Sequence, residues 1–528
     1  MPLSRTYPGV YVQEVTGGVH PIVGVPTCIT AFVGRTVFGP VNVPTNITSY
    51  SDFERDFGGI DIDYPMSYAV NDFFQNDGTQ AVVVRLYQPD PIKPAKAVIK
   101  LNGLSLEAAS EGCWGNHLRV RVDNKVSAET ASALGLTISD LVNLTICDTR
   151  RKIMERFLNV SVRESARRVD RVLSASALMR VKSAMSPALT LPAPHIDPQP
   201  GEDIWAQDRL STPVAAVDEV GNDLALKDST YLGDKNLKTG IYAFENADIF
   251  NVLCIPPDTR GGDVPAQVLS QAASYCVTRR AMLIIDPPSS WTSANEVAPQ
   301  AYYRVLGMAE TASQNAAIYF PRIRESDPVL KGQLDTLAPC GVIAGVWART
   351  DALRGVWKAP AGTEAALKGV QGLAVTLTEA EEGELNSWAI NCLRSFPEAG
   401  LVVWGARTLQ GVSNSGGEFQ YIPVRRLALF IEESVYRGTQ WAVFEPNDNR
   451  LREKIRLNIV AFMNGLFHQG AFAGAKPEEA YFVKCDNETT TQVDIDQGLV
   501  NILVGFAPLK PAEFIILKIQ QAAGQSSM

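Results

Sequence analysis

Histidine, paired cysteine and long apolar runs are what this 528-residue sequence has least of. The four histidines (20, 117, 195, 468) lie far apart and form no HExxH-type spacing, so a histidine metal site has no basis. The eight cysteines (28, 113, 147, 254, 276, 340, 392, 485) are scattered singly, with no CxxC pair. That suits a reducing compartment and argues against both a disulfide framework and a zinc ribbon. No uninterrupted apolar stretch approaches the ~20 residues that span a bilayer, so no membrane insertion is expected. "MPLSRTYPGVYVQEV" has no basic region followed by an apolar core, so no secretory signal is expected. Lys and Arg are outnumbered by Asp and Glu, 48 to 57, for a net charge of -9. This balance argues against a nucleic-acid partner. The patterns GxxxxGK[ST], GxGxxG and GxSxG are missing, which leaves P-loop, dinucleotide-binding and α/β-hydrolase readings without their main support.

What is present is a globular composition: 46% apolar and 20% charged residues, with a mean hydropathy near zero. The length exceeds one ordinary core and implies two to four domains. The chain opens with an arm, residues 1–20, in which Tyr7, Val10, Val12 and Val15 alternate around a Pro-Gly turn. Such a strand has no local hairpin partner. "TCITAFVGRTVFGP", "SYSDFERDFGG", "YPMSYAVNDFFQNDG" and "TQAVVVRLYQ" then read as strand, helix, helix and strand within 21–89, an α/β layer. From Pro89 the character changes. Three alternating strand candidates (117–123, 141–148, 155–162), a basic helix at 164–181 and a Pro-rich loop make 90–230 an inserted, mostly β domain.

Strand and helix alternate again over 231–360. "DIFNVLCIP", "AMLIIDPP" and "AAIYFPRI" are strands, separated by helices over "VPAQVLSQAASYCVTRR" and 293–313. That order predicts a largely parallel sheet covered on both faces. Over 361–528, "TEAEEGELNSWAINCLRSF" predicts a helix or turn pair, and two long helices follow. The second is capped by Asp448 and carries Leu451, Ile455, Ile459, Phe462 and Leu466 on one stripe. Strand candidates at 498–508 and 512–521 close the chain.

Three features invite a functional reading. Asp258, Asp286 and Asp263 follow strands or open a helix in the α/β half, where a metal-dependent enzyme would hold magnesium. The plainer reading makes them strand ends and a helix cap, and no nucleophile or phosphate loop accompanies them. Arg450, Arg452, Lys454 and Arg456 crowd the first turns of the second long helix, against its dipole, which suits an acidic partner. Two strands at the chain ends, without local partners, invite pairing between chains.

The sequence resembles the contractile tail sheath proteins of myophage-like tails and phage-tail-like injection particles. The resemblance rests on "YPGVYVQEV" (7–15), "ITAFVGRTVFGP" (29–40), "DFERDFGG" (52–59) and "SYAVNDFFQNDGTQAVVVRL" (67–86). It continues with "GVWKAPAG" (355–362), "GLVVWGARTL" (400–409), "VRRLALFIEESV" (424–435), "WAVFEPND" (441–448) and "FAPLKPAEFIILKI" (506–519). It implies a multidomain α/β (α+β) fold, with a tube-proximal domain built from both ends of the chain. It also implies a structural subunit without cofactor or enzymatic activity, assembled in the bacterial cytoplasm as hexameric rings around an inner tube protein. Baseplate and terminal cap proteins would close the ends. Tyr7, Val10, Tyr11, Val12 and Val15 would form one donated strand, and Phe514, Ile515, Ile516, Leu517 and Ile519 another. Arg450, Arg452, Lys454 and Arg456 would dock the tube, Trp404 would be core, and Arg407 would leave its strand for a polar or intersubunit contact. A non-contractile filament or shell protein is the alternative that the residues themselves leave open.

Overall fold

A computed structural model describes residues 21–182, 190–412 and 417–513. The contacts divide the chain into two units, one holding 27–425 and the other 21–26 with 426–513. The larger unit opens with β1 (Thr30–Gly34), β2 (Thr45–Ile47), α1 (Tyr50–Phe57), α2 (Met66–Gln75) and β3 (Ala81–Arg85). The insert follows: β4 (Val98–Leu101), β5 (Leu104–Ala108), β6 (Leu118–Asp123), β7 (Val142–Asp148), β8 (Ile153–Val160), β9 (Met179–Val181) and β10 (Thr212–Pro213). Alternation resumes with β11 (Val252–Cys254), α3 (Ala266–Arg279), β12 (Met282–Ile285), α4 (Pro299–Leu306) and β13 (Ala316–Phe320). Then come β14 (Ile323–Asp327), β15 (Gln333–Leu337), α5 (Cys340–Arg354), β16 (Val370–Leu373), α6 (Glu379–Ser387), β17 (Ile390–Phe396) and β18 (Gly400–Val403).

The sheet order β18-β17-β13-β12-β11-β1-β3-β2 is parallel from β17 to β3 and closed by antiparallel strands at both edges. Every residue of β1, β3, β11, β12 and β13 is buried, as unbroken apolar runs require of a sheet covered on both faces. Helix α5 lies on α2 with almost no space between backbones. A Cβ on Gly341 would stand 2.1 Å from the Ala69 carbonyl oxygen, and one on Gly345 would stand 2.7 Å from that of Phe73. Only glycine admits this approach.

The insert is β-rich, as expected, with the sheets β10-β6-β7-β8 and β4-β5-β9 packed around Trp114, Val120, Leu144 and Ile146. The basic helix expected over 164–181 is replaced by a five-residue helix, Val169–Leu173, followed by β9. Pairing of β9 with β5 and burial of Leu178 and Met179 outweigh helix propensity there. The helix expected over 293–313 breaks at Gly307, whose φ is +56°. The second half of 378–396 is strand β17 rather than helix. Its ladder with β13 and β18 ties this segment to the large sheet, so the contacts divide at Arg425 and not near 361.

In the smaller unit, α7 (Ile422–Gly438) continues from the boundary and α8 (Asn449–His468) follows, with Phe430 and Phe462 rings 5.9 Å apart. Asp448 caps α8 by accepting from Leu451 N at 2.8 Å. Leu451, Ile455, Ile459 and Leu466 are buried as the stripe predicts. Residues 21–26 lie along α7. Val25 N donates to Ser434 Oγ at 3.1 Å, and Gly24 sits where a Cβ would meet the Phe430 ring. A two-stranded sheet completes the unit, β19 (Tyr481–Lys484) antiparallel to β20 (Leu503–Phe506). Of the 498–508 candidate, only 503–506 is strand, and β19 was not foreseen because "YFVK" is a four-residue run that makes no pattern of its own.

Candidate functional site

The three carboxylates that could have formed a metal site go to separate partners. Asp258 Oδ1 pairs with Arg35 Nε, and its Oδ2 accepts from Leu226 N at 2.8 Å. Asp263 accepts from Ser289 N at 2.7 Å, from Ser289 Oγ at 2.8 Å and from Arg322 Nη2 at 2.8 Å. Asp286 is buried, with Oδ1 accepting from Cys340 N at 2.8 Å at the start of α5, and burial raises its carboxyl to about 6. Asp263 and Asp286 flank a cleft of about 280 Å³ beyond β12, walled by Trp291, Tyr302 and Arg322. Its lining contains no histidine, cysteine or lysine. Among the described residues, no group of His, Cys, Asp or Glu is placed to hold a metal ion. Asp258 and Asp286 follow strands as the plainer reading has it, but Asp263 caps no helix: α3 begins after Pro265 without a side-chain cap, and Asp263 instead ties Ser289 to Arg322.

The "WGARTL" stretch is architecture of another kind than expected. Trp404 is not core: it is 39% exposed, with its ring 4.5 Å from Phe396. Trp404 lies just past β18, whose outer side is bonded by residues 362–367 rather than by another full strand. Phe396 in turn lies under the Arg394 guanidinium, 5.5 Å away, and Arg394 pairs with Glu382 of α6. Arg407 turns inward. Its N–H donates to Asn391 Oδ1 at 2.7 Å, its carbonyl accepts from Asn391 Nδ2 at 2.8 Å, and its Nη1 donates to the Asn386 carbonyl at 3.1 Å. Gly405 makes this wrap possible, because a Cβ there would stand 2.7 Å from Asn391 Cα. The polar contact expected of Arg407 is thus made within its own chain.

The four basic residues of α8 part company. Arg452 is buried, its guanidinium donating to Asn447 Oδ1 at 2.7 Å, Asn449 Oδ1 at 2.6 Å and Asn487 Oδ1 at 3.0 Å. It is therefore removed from the docking set. The signal was available, since 452 stands three residues before Ile455 and seven before Ile459, on the inward stripe. Arg450 and Lys454 are exposed one turn apart, Arg456 is half-buried, and Leu457, 52% exposed, extends their face. The loop before α8 presents Val443 and a fully exposed Phe444 whose φ is +71°. Neither was singled out from sequence. In the described part of this unit, Tyr436, Phe482, Val493, Leu499, Leu503 and Leu509 are also exposed. Among the described residues, β19 and β20 each have one ladder partner. The two donated strands, Tyr7 to Val15 and Phe514 to Ile519, lie outside the described residues. No helix among the described residues is long and apolar enough to cross a membrane.

Comparison with known proteins places this geometry. The family model of the phage tail sheath protein central domain matches residues 232–409, and that of the phage tail sheath C-terminal domain matches 414–522. Together they cover more than half of the chain. The tail sheath protein of Vibrio phage KVP40 is 29% identical over 180 residues, 34% of this chain and 25% of that protein. The chain thus matches about a quarter of the length of that relative. The anti-feeding prophage helical sheath in its contracted state has the same fold, with a TM-score of 0.55 at 24% identity over 98% of this chain and 100% of that one. So does the PVC sheath complex of an extracellular contractile injection system, also contracted, with a TM-score of 0.57 at 21% identity over 99% of each chain. Two successive sheath domain models in their proper order, over a fold shared end to end with solved sheaths, lead to one conclusion: the chain belongs to the phage tail sheath family.

Proposed function

We propose that this chain is the structural subunit of a contractile sheath, stacking as hexameric rings around an inner tube and shortening to drive that tube through a target envelope. The observation that carries the reading is the smaller unit: it joins residues 21–26 to 426–513, bares an unusual density of apolar side chains, and holds a two-stranded sheet with ladder positions to spare among the described residues. Strands donated from residues 5–16 and 512–521 of neighbouring copies would extend that sheet and link subunits into a mesh. Arg450, Lys454 and Arg456 would grip an acidic tube exterior. Baseplate and cap proteins would terminate the stack, and assembly would take place in the bacterial cytoplasm before release within a tail or tail-like particle.

Contraction then needs no catalytic centre. The extended stack is a higher-energy arrangement, and new contacts between subunits release the difference when the baseplate lets go. About 1–2 kcal/mol per subunit, small beside a fold stability of about 5–15 kcal/mol, becomes a large total over a long stack. The test is electron microscopy of the purified chain beside a deletion of residues 1–18, each with and without tube protein. Hollow tubes from the full chain, and only monomers or loose rings from the deletion, are expected. Equal tubes from both would remove strand donation. Tubes of a single, fixed helical state under every trigger would make the chain a non-contractile shell.

A further inference from the structure

Charge is distributed unevenly along this chain. Residues 150–182 hold eight Arg and two Lys against three Asp and Glu, net +7, in a chain of net -9; all other residues together carry -16. The basic segment folds back on itself. Val169 N donates to the Ser161 carbonyl at 2.8 Å, and Ala177 N donates to Glu155 Oε1 at 2.9 Å, so β8, the short helix Val169–Leu173 and the start of β9 share one neighbourhood.

Part of this charge is neutralised locally. Arg168 pairs with Glu164 and Asp170, Arg171 with Glu164, and Arg163 with Asp140 at 3.4 Å. Lys152, Arg156, Arg180 and Lys182 are exposed and have no carboxylate partner among the described residues. Among the described residues, strand β8 is an edge, laddered to β7 alone. Along one of its faces Met154 (57% exposed), Arg156 and Leu158 (43% exposed) alternate in the open. One or two charges are enough to protect an edge from unwanted pairing. Four cations free among the described residues, two of them arginines, beside bare Met154 and Leu158 exceed that need, and Arg and Met are residue types enriched at protein interfaces.

The same chain carries a complement. Residues 369–393 contain four glutamates and no Lys or Arg, and those glutamates sit on α6. Glu381 is engaged in the cap with Thr378 and Glu382 with Arg394, while Glu379 and Glu384 are exposed without an ion-pair partner among the described residues. We propose that the basic edge formed by β8 and β9 docks onto α6 of a second copy of this chain. The two halves are different surfaces, so the contact is head-to-tail, and a head-to-tail contact propagates into rings or helices rather than stopping at a dimer. Opposed charge of this kind fixes register and speeds encounter, and it weakens with salt. The inference rests on the reading of the chain as a self-assembling sheath.

The experiment uses the full chain and three variants: Arg156→Glu with Arg180→Glu, Glu379→Lys with Glu384→Lys, and all four substitutions together. Assembly is followed by sedimentation and negative-stain microscopy from about 0.05 to 1 M salt, and folding is checked by thermal melting. All four side chains are exposed and have no ion-pair partner among the described residues, so melting is expected to be unchanged. Each double reversal should raise the critical concentration for assembly roughly tenfold at low salt and flatten its salt dependence. The fourfold chain should recover to within about twofold of wild type, because both halves have changed sign together. Wild-type-like assembly by either double variant overturns the proposal, as does failure of the fourfold chain to recover. If the arginine variant assembles normally but no longer binds anionic vesicles or duplex DNA that the wild type retains, the patch serves that other partner and the clasp is refuted. If even the wild type never assembles, with or without tube protein, it is the sheath reading that falls.

Discussion

Replacing Glu325 by Gln should make the larger unit more stable at pH 8 and change its stability much less at pH 5. Glu325 on β14 and Asp72 on α2 form a buried carboxyl pair, 9% and 3% exposed. They interact with each other, and one oxygen of each, Glu325 Oε1 and Asp72 Oδ2, has no hydrogen-bond partner among the described residues. Burial raises the Asp72 carboxyl well above its usual range, and the charge of Glu325 adds to this. Burial likewise raises Glu325 from 4.5 to about 7. The folded chain therefore keeps a proton that the unfolded chain has released between about pH 4.5 and 7, so stability falls as pH rises through that window and the loss is complete above it. The displacement corresponds to at most about 3 kcal/mol, and sharing of the proton with Asp72 reduces the expectation to ~1–3 kcal/mol. Glutamine keeps a hydrogen-bond donor to Asp72 and cannot ionise. The melting midpoint of the variant at pH 8 should exceed that of wild type by roughly 2–4 °C, with the difference shrinking towards pH 5. Thermal melts in matched buffers from pH 5 to 8 measure this. A variant whose pH profile runs parallel to that of wild type, or which loses stability equally at both ends, would falsify the shared-proton account.

Other perturbations separate architecture from assembly. Gly345→Val should cost about 2–3 kcal/mol or prevent folding, because its Cβ would press on the Phe73 carbonyl and Asn76; urea unfolding measures this. Arg85→Met should destabilise by about 3 kcal/mol, again by urea unfolding. Its buried guanidinium donates to the carbonyls of Thr36 at 3.2 Å, Gly39 at 3.1 Å and Glu111 at 2.8 Å, joining β3 to the insert. Arg452→Ala should lower the melting temperature by freeing three asparagine oxygens, whereas Arg450→Glu with Lys454→Glu should leave melting unchanged and abolish pelleting with the tube protein. Tube binding retained by the double variant would remove α8 from the docking surface.

The sequence by itself determined the elements whose information is local. Unbroken apolar runs specified the buried strands β1, β3, β12 and β13, and their alternation with helices specified a parallel sheet covered on both sides. Asp448 and the stripe from Leu451 to Leu466 specified α8, cap and inward face together. Periodicity says which residues share a face, but not what covers that face. Only the tertiary structure decided that Trp404 lies bare past a sheet edge, and that Arg407 closes on Asn391, sixteen residues back. For Arg452 the inward stripe marked the burial, and the fold alone supplied its third partner, Asn487, thirty-five residues on. The aspartates at 258, 263 and 286 likewise became ordinary once Arg35, Arg322 and the Cys340 amide were found beside them. Apart from Trp404, each of these is a long-range pairing of polar groups. Such a pairing depends on which surfaces the fold brings together, and no spacing along the chain encodes it.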